Sequence, residues 1–205
     1  MRRVNLTEVV RGGAAGLERE IGLARKIHVV GTSGSGKTAF ASRLAGRLNI
    51  AHAELDSLFW GPNWSGTPDN EFRRKVGAVV QGPEWVIDGN YTRVRDLIWT
   101  RAEVVIWLDY RLCVILFRVT RRTLWRIFTR EMLWHGNRES VRASLLSKES
   151  IILWSLRTYR RRKREYAGLA QQAGNDHLRV LRLRTVRQAR ELLENPTRYL
   201  GAVEP

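Results

Sequence analysis

A glycine-rich octapeptide limits the possible folds of this chain more than any other feature of its sequence. Residues 31–38 read GTSGSGKT, which has the spacing G-x-x-x-x-G-K-[ST] of a phosphate-binding loop. Its glycines allow the backbone to curl until successive N–H groups face one centre. The helix expected after the loop adds unpaired N–H groups and the positive end of its dipole, so the loop suits an anionic phosphate chain.

The residues on either side of the loop predict a strand before it and a helix after it. Residues 25–30 read RKIHVV, apolar and β-branched up to the first glycine. Beyond the loop, apolar residues recur at helical spacing from Phe40 to Leu48. In such a loop the lysine reaches the β- and γ-phosphates and the threonine hydroxyl ligates Mg²⁺, so the expected ligands are ATP, or GTP, and Mg²⁺. The expected nucleotide contacts are Gly31, Ser33, Gly34, Ser35, Gly36, Lys37 and Thr38.

The length and composition predict one globular domain that does not enter the membrane. We expect an N-terminal extension over residues 1–22, followed by a single domain over 23–205 that can bury a sizeable core. No apolar run approaches the ~18 residues that span a bilayer, and no signal-peptide core is present near the N-terminus. The single cysteine, Cys113, lies in an apolar run, which predicts a small buried side chain and a protein of the reducing cytoplasm.

Strand and helix patterns alternate along the domain, which predicts an α/β fold with a parallel sheet. We expect five strands with helices on both faces of the sheet. A capping box at Thr185-x-x-Gln188 predicts the start of the last helix, and Pro196 follows its end. The predicted strands cover residues 26–30, 50–55, 84–87, 103–108 and 178–183. The predicted helices cover residues 37–48, 69–81, 93–99, 111–129, 148–172 and 185–194.

Three of the predicted strands end in a carboxylate, at Asp56, Asp88 and Asp109. Ligands of open parallel sheets lie at the carboxyl ends of the strands, so these side chains are candidates for the nucleotide site. Phosphoryl transfer needs a carboxylate near Mg²⁺, and the residues alone leave Asp88 and Asp109 open for this role. Asp56 opens the next loop and is a candidate for orienting an acceptor or taking its hydroxyl proton, or for capping a turn.

The positive charge of the chain is concentrated in one segment. Residues 111–164 hold 15 Lys and Arg against three Glu, which accounts for +12 of the net +16. On two predicted helices the arginines form stripes that flank a polar break near 130–140, an arrangement typical of a lid over an anionic site. Lid arginines stabilise the charge of a phosphoryl group during its transfer. The stripes contain Arg118 and Arg122 on the first helix and Arg157 and Arg161 on the second.

Aromatic side chains lie near the same strand ends. Trp60 and Trp64 belong to a Gly- and Pro-containing loop after the second predicted strand, and Tyr91 follows Asp88 by three residues. These rings are candidates for the wall of an aromatic or nucleoside-like acceptor site. The other interpretation, which the sequence leaves open, is that they pack within the core or the loop.

With these motifs, the chain resembles the P-loop kinase family that includes adenylate kinase and shikimate kinase. More closely, it is similar to the small adenylate-kinase-related ATPases of bacteria called "DNA topology modulation protein"-like. The likeness covers about residues 25–195 and implies a P-loop NTPase fold of the nucleoside/shikimate kinase type with an Arg-rich helical lid. The shared motifs are Gly31–Thr38, Glu54-Leu55-Asp56, Asp88-Gly89-Asn90-Tyr91, Arg118-x-x-x-Arg122, Trp134-His135-Gly136-Asn137-Arg138-Glu139 and Arg157–Arg164.

The resemblance also implies roles for particular residues in catalysis. It favours Asp88 over Asp109 as the carboxylate that serves Mg²⁺ together with Thr38. Arg118 and Arg122 resemble the pair that opens the adenylate kinase lid. The predicted catalytic residues are Lys37, Asp56, Arg118, Arg122, Arg157 and Arg161.

The acceptor side departs from adenylate kinase. Residues 90–93 read NYTR, where adenylate kinase has Phe-Pro-Arg after its Asp-Gly, so the resemblance does not favour AMP as the acceptor. Asp56 lies where shikimate-kinase-type enzymes place an acceptor-side aspartate. The residues expected to bind the acceptor are Asp56, Trp60, Asn90, Tyr91, Arg93, Asn137 and Arg138.

Three functions remain open on the sequence. The first is a small-molecule kinase that uses ATP and Mg²⁺ to phosphorylate an anionic or nucleotide-like acceptor. The second is a kinase or ATP-regulated binder directed at nucleic acid, which the basic segment and its interleaved tryptophans favour. The third is a switch ATPase without an acceptor. Binding to a phosphate backbone weakens steeply with salt, so salt dependence separates the second function from the first.

Overall fold

Five parallel strands organise the computed structural model of this chain, which describes residues 22–129, 151–169 and 178–201. The strands are β1 (Lys26–Gly31), β2 (His52–Glu54), β3 (Trp85–Asp88), β4 (Val104–Leu108) and β5 (Arg179–Leu183). Their order in the sheet is β2-β3-β1-β4-β5, and every neighbouring pair is parallel. The predicted α/β fold with a five-stranded parallel sheet is therefore confirmed.

Helices connect these strands along the chain. They are α1 (Lys37–Leu48), α2 (Leu55–Phe59), α3 (Asp69–Val80), α4 (Arg95–Trp99), α5 (Leu112–Thr129), α6 (Ile151–Leu169), α7 (Val186–Glu194) and α8 (Pro196–Leu200). The short helices α2 and α8 were not predicted. The capping box at α7 is confirmed, because the Gln188 N–H donates to the Thr185 hydroxyl and the Gln188 side chain accepts from the Thr185 N–H. Pro196 begins α8 directly after α7 ends.

Two hydrophobic cores lie on opposite faces of the sheet. Successive residues of β4 alternate between them, with Val104 and Ile106 in one core and Val105 and Trp107 in the other. The first core includes side chains of α1, α7 and α8, and the second includes side chains of α2, α3 and α4. Helices on both faces explain why the central strands are apolar on both sides.

The register of the strands brings their carboxyl ends together at one edge of the sheet. Glu54 pairs with Asp88 across β2 and β3, and Asp88 pairs with Val29 of β1. Gly31, the first residue of the glycine-rich loop, pairs with Leu108 of β4. The loop therefore shares this edge with two carboxylates from two other strands.

Helix α5 packs differently from the sequence expectation. Its buried side chains include Ile115 and Val119, whereas Cys113 is exposed. The prediction that Cys113 is buried is therefore wrong. The reason is that α5 carries apolar residues on two sides and only one side packs on the domain, so Phe117 and Phe128 on the other side face solvent.

The predicted break of the lid and most of the predicted N-terminal extension lie outside the described residues. The helices before and after the break, α5 and α6, pack against each other. Leu23 and Ala24 are already buried in the core, and the Ala24 N–H donates to the Leu200 carbonyl (2.9 Å). Within residues 22–129, 151–169 and 178–201, no helix has the length and apolar character needed to cross a bilayer.

Candidate active site

The loop between β1 and α1 has the backbone of an anion cradle. Gly34 and Gly36 adopt left-handed conformations, with φ of 85° and 84°, and the Ser35 N–H donates to the Thr32 carbonyl (2.9 Å). Gly36 is the N-cap of α1 and provides no side chain to bond the first N–H groups of the helix. These N–H groups are therefore available to a phosphate.

Glycine is required at position 34 because α5 approaches the loop closely. A Cβ atom on Gly34 would lie 2.9 Å from the Val119 Cβ and 3.0 Å from the Ile115 carbonyl oxygen. Cβ atoms of real proteins do not approach another non-bonded atom as closely as 2.9 Å. The backbone of the loop at Gly34 therefore packs directly against the Val119 side chain of α5. A movement of α5 would therefore displace the loop.

Arg118, one of the predicted lid arginines, contacts the loop. Its guanidinium donates to the Ser35 carbonyl (3.0 Å). Arg122 lies one turn further along α5 and is half-buried, and Arg161 of α6 is exposed. The Arg157 side chain, like all of Asn137 and Arg138, lies outside what the structure describes, so the roles of these three remain predictions.

Asn90 joins the start of the loop to the end of β3. Its Nδ2 donates to the Gly31 carbonyl (2.6 Å), and its Oδ1 accepts from the Gly31 N–H (3.1 Å). The Tyr166 hydroxyl of α6 donates to the same Oδ1 (3.0 Å). The Asn90 amide is therefore engaged at both ends within the protein, where it positions the loop. Its predicted contact with an acceptor remains a prediction.

Oxygen atoms from three elements meet at the start of α1. The Thr38 hydroxyl lies 2.9 Å from Asp88 Oδ1 and 3.2 Å from Glu54 Oε1. Asp88 is fully buried, and its other oxygen lies 2.8 Å from His52 Nε2. In the described ranges, no three His, Cys, Asp or Glu side chains form a closed metal cage. Mg²⁺ does not need such a cage, since one or two carboxylates commonly hold it together with substrate phosphates. The oxygen atoms of Thr38, Glu54 and Asp88, which we call the oxygen corner, therefore fit Mg²⁺.

The other candidate carboxylate, Asp109, is engaged elsewhere. Its Oδ2 accepts two hydrogen bonds from the Arg182 guanidinium, at 2.9 and 2.6 Å, and lies 3.9 Å from the Lys163 ammonium. The same guanidinium stacks on the Trp107 ring, 4.5 Å from its centroid. Asp109 therefore belongs to an ion pair between the ends of β4 and β5, whereas Asp88 lies beside the loop threonine.

Asp56 and Tyr91 form a hydrogen-bonded pair within a cluster of aromatic rings. The Tyr91 hydroxyl donates to Asp56 Oδ1 (2.7 Å). Burial raises the pKa of this hydroxyl well above its usual range, and the Asp56 charge raises it further, so the hydroxyl remains a donor. The Tyr91 ring lies 5.0 Å from Phe59, which also contacts the Trp60 ring at 4.9 Å. Two predicted acceptor residues, Trp60 and Tyr91, thus belong to one aromatic cluster.

Arg93 lies at the edge of this cluster but is engaged by protein groups. It forms an ion pair with Asp69 and stacks on the Phe59 ring at 5.2 Å. Its contact with an acceptor remains a prediction. A cavity of about 350 Å³ is lined by Thr92, which follows Tyr91 in the chain, and by two arginines and a glutamate. These lining residues are Arg161, Arg162 and Glu165.

A buried histidine holds the backbone at the end of β3, next to Asp88. The Trp99 indole N–H donates to His28 Nδ1 (2.8 Å), so the ring proton is on Nε2, which donates to the Gly89 carbonyl (3.0 Å). Burial lowers the pKa of His28 to about 4, and the Gly89 and Asp88 groups oppose this shift only in part. The His28 ring is thus neutral, and its two hydrogen bonds connect β1 with α4 and with the end of β3.

Three residues of this site were not predicted as functional: His28, His52 and Glu54. One signal was present in the sequence, because His52 and Glu54 are two residues apart on a strand and therefore point to the same face. The partners of these residues could not be read from spacing. They depend on which strand lies beside β2 and in which register, and the neighbour of β2 is β3 rather than β1.

Comparison with solved structures identifies the fold of this chain. No protein-family model matches the chain, and no curated protein is significantly similar to it. A shikimate kinase from Acinetobacter baumannii, solved in complex with shikimate, is 16% identical at a TM-score of 0.55, over 89% of this chain and 96% of that one. A shikimate kinase from Bacteroides thetaiotaomicron is 14% identical at a TM-score of 0.53, over 85% and 97%. The chain therefore has a P-loop NTPase fold of the nucleoside/shikimate kinase type.

Proposed function

We propose that this chain is an ATP- and Mg²⁺-dependent phosphotransferase that moves the γ-phosphate to a hydroxyl group of a small molecule. The observation that carries the proposal is the presence of two different sites at one edge of the sheet. One is the glycine-rich loop with the oxygen corner of Thr38, Glu54 and Asp88. The other is the hydrogen-bonded pair of Asp56 and Tyr91 among aromatic rings. Two shikimate kinases share the fold, which supports this class of reaction.

The nucleotide side is built from the loop and α1. The N–H groups of residues 33–38 would hold the phosphate chain of ATP. The Lys37 side chain is half-buried and has no hydrogen bond or ion pair within the described part of the chain, so its charge is available to the phosphates. Bound Mg²⁺ would neutralise phosphate charge, and Thr38 and Asp88, with Glu54 beside them, are the residues that would hold it.

The acceptor side is built around Asp56. Tyr91 donates to one oxygen of this carboxylate, which leaves the other oxygen to accept a hydrogen bond from an acceptor hydroxyl and to take its proton. The half-buried Trp60 and Tyr91 rings favour an acceptor with an apolar or planar ring face. The arginines of the 350 Å³ cavity at Thr92, the residue after Tyr91, favour an acceptor that also carries an anionic group.

A second candidate is a kinase directed at nucleic acid, and one observation favours it. Phe117, Trp125 and Phe128 of α5 are 69%, 64% and 87% exposed, and Arg121 on the same helix is exposed as well. Exposed rings beside basic groups are what single-stranded nucleic acid binds through stacking and phosphate contacts. The acceptor panel must therefore include oligonucleotides.

The first experiment is transfer of label from γ-labelled ATP at moderate salt to three kinds of acceptor: small hydroxyl metabolites, nucleoside monophosphates, and short RNA or DNA. We expect label on a small hydroxyl compound. Lys37→Ala should lower the rate at least about 10²-fold, because the variant lacks the ammonium group that stabilises the charge of the phosphoryl group during its transfer. Lys75→Ala is the matched control, since Lys75 pairs with Glu71 on the surface of α3.

The outcomes separate the candidates. Label on an oligonucleotide would favour the second candidate over the first. Release of inorganic phosphate alone, unchanged by every acceptor, would contradict both and favour a switch ATPase. Wild-type rates in Lys37→Ala would contradict the assignment of the loop itself.

A further inference from the structure

A cavity of about 580 Å³ opens between the second half of α1 and the facing side of α7. It is lined by Arg43, Gly46, Arg47, Arg190, Leu193 and Glu194. Arg43 lies six residues after Lys37, which places it about 9 Å along α1 from the end of the phosphate-binding loop. The cavity shares no lining residue with the candidate active site.

The three arginines of this cavity have no partner among the residues that the structure describes. Arg43, Arg47 and Arg190 form no hydrogen bond or ion pair within the described part of the chain, although Glu194 lines the same cavity. Arg187 on α7 differs from these three, because it pairs with Glu191 (2.9 Å). Like charges one helical turn apart, as at 43 and 47, repel each other. An anion in the cavity would remove this repulsion.

Gly46 is a second, independent feature of the cavity. It lies in the interior of α1 between the two arginines, where glycine is the poorest helix former apart from proline. A Cβ atom at this position would meet nothing within 4 Å, so no close contact inside the protein requires glycine. Its absent side chain instead leaves room on the α1 wall of the cavity.

We propose that this cavity is a binding site for a small oligophosphate, either inorganic or part of a nucleotide. Guanidinium groups bind phosphate oxygens through paired, charge-assisted hydrogen bonds, and three of them here face one space. The volume suits a ligand of nucleotide size, for which Leu193 provides an apolar contact and Glu194 a hydrogen-bond acceptor. The proposal does not depend on the phosphotransferase activity proposed above, because it uses none of the residues of that site.

The test counts oligophosphate sites on the full chain by isothermal titration calorimetry at about 0.15 M salt, where weak surface attraction is screened. The probe is tripolyphosphate, and a parallel titration uses ATP. Wild type should bind two tripolyphosphates, one at the loop and one in the cavity. Lys37→Ala should weaken only the first site. Arg43→Ala with Arg190→Ala should weaken only the second, by about tenfold or more for each guanidinium removed.

Two controls make the result specific. Arg74→Ala removes an arginine of α3 that is also exposed and has no hydrogen bond or ion pair within the described ranges, and it should leave both sites unchanged. Gly46→Ala should raise the Tm through helix propensity while weakening the second site. A second site seen with ATP as well as tripolyphosphate would assign a nucleotide, and one seen with tripolyphosphate alone would assign an inorganic ligand. A single site that Lys37→Ala removes, or an equal effect of Arg74→Ala, would overturn the proposal.

Discussion

The hydroxyl of Thr38 lies between two carboxylates, and its single hydrogen cannot serve both. Asp88 is fully buried, which is costly for a charged group unless it is paired. His52 supplies one partner from the far side, at 2.8 Å, and directs the remaining oxygen toward Thr38 and Glu54. We interpret His52 as the residue that orients Asp88 for Mg²⁺.

His52→Ala is expected to weaken the binding of Mg²⁺ with ATP by about 10- to 100-fold, because the partners of metal-binding groups set their orientation. His52→Gln places an amide N–H near the position of Nε2 and should retain most of the affinity. The measurement is a calorimetric titration with a non-hydrolysable ATP analogue, with and without Mg²⁺. An equal loss of affinity under both conditions would contradict the interpretation, since it would not involve the metal.

His28 makes stability depend on pH. Burial lowers the pKa of His28 from 6.5 to about 4. Between these values the unfolded chain binds a proton at this ring that the folded chain does not bind. The free energy of unfolding is therefore expected to fall as the pH is lowered from 6.5 to 4, by roughly 3 kcal/mol in full. Above pH 6.5 this contribution is complete.

Urea unfolding between pH 7 and pH 4 measures the total change, to which carboxylates contribute as well. The NMR titration of the His28 ring isolates the share of this residue. A ring pKa near 6.5 in the folded protein would contradict the assignment of His28 as a buried, neutral ring. His28→Gln keeps an N–H that can donate to the Gly89 carbonyl, and its stability should vary less over this pH range.

Packing between α5 and the glycine-rich loop links two elements that are distant in sequence. Gly34→Ala should destabilise the protein by roughly 2 kcal/mol or more, because alanine strains the left-handed backbone and contacts Val119. Gly77→Ala in α3 is the matched control. Its Cβ would meet nothing within 4 Å, so helix propensity should stabilise the protein by about 0.5–1 kcal/mol.

Chemical unfolding of both variants gives the comparison. Similar changes in stability in Gly34→Ala and Gly77→Ala would mean that α5 does not pack closely against the loop. A further readout is ATP binding, which should weaken in Gly34→Ala and stay unchanged in Gly77→Ala, because only the first substitution disturbs the cradle.

Local patterns were sufficient to predict elements with one dominant signal. Helix α1 has an apolar stripe, and β4 is a short apolar run that ends at a turn, so their positions were predicted within about one residue. Helix α5 has apolar residues on two sides, and periodicity cannot tell which side is buried. Cys113 was therefore assigned to the wrong environment.

The candidate site was predictable where one segment holds all the chemistry, as in residues 31–38. It was not predictable where contacts cross the sheet. Asn90 bonds Gly31 and His52 bonds Asp88 only because β3 lies between β1 and β2. Strand order is a property of the whole domain, since it depends on how crossover helices pack, and no short window of sequence contains it.

The net charge of +16 affects the whole molecule. The chain has 36 Lys and Arg against 20 Asp and Glu, so one-to-one pairing leaves at least 16 basic groups without an acidic partner. Several of the described ion pairs, such as that of Arg73 with Asp96, are exposed and contribute little. Self-repulsion is therefore expected to outweigh ion pairing in this protein.

Raising NaCl from about 0.05 M to about 0.5 M is consequently expected to stabilise the fold, because the Debye length shortens and repulsion between unpaired basic groups is screened. The expected gain is on the order of 1 kcal/mol, or about 2–4 °C in Tm for a chain of this length. Arg74→Glu should raise the Tm at low salt, and its advantage should shrink at high salt, because it removes repulsion that salt also removes. Differential scanning calorimetry measures both effects. A Tm that falls with salt would mean that ion pairs such as that of Arg182 with Asp109 dominate over the excess of positive charge.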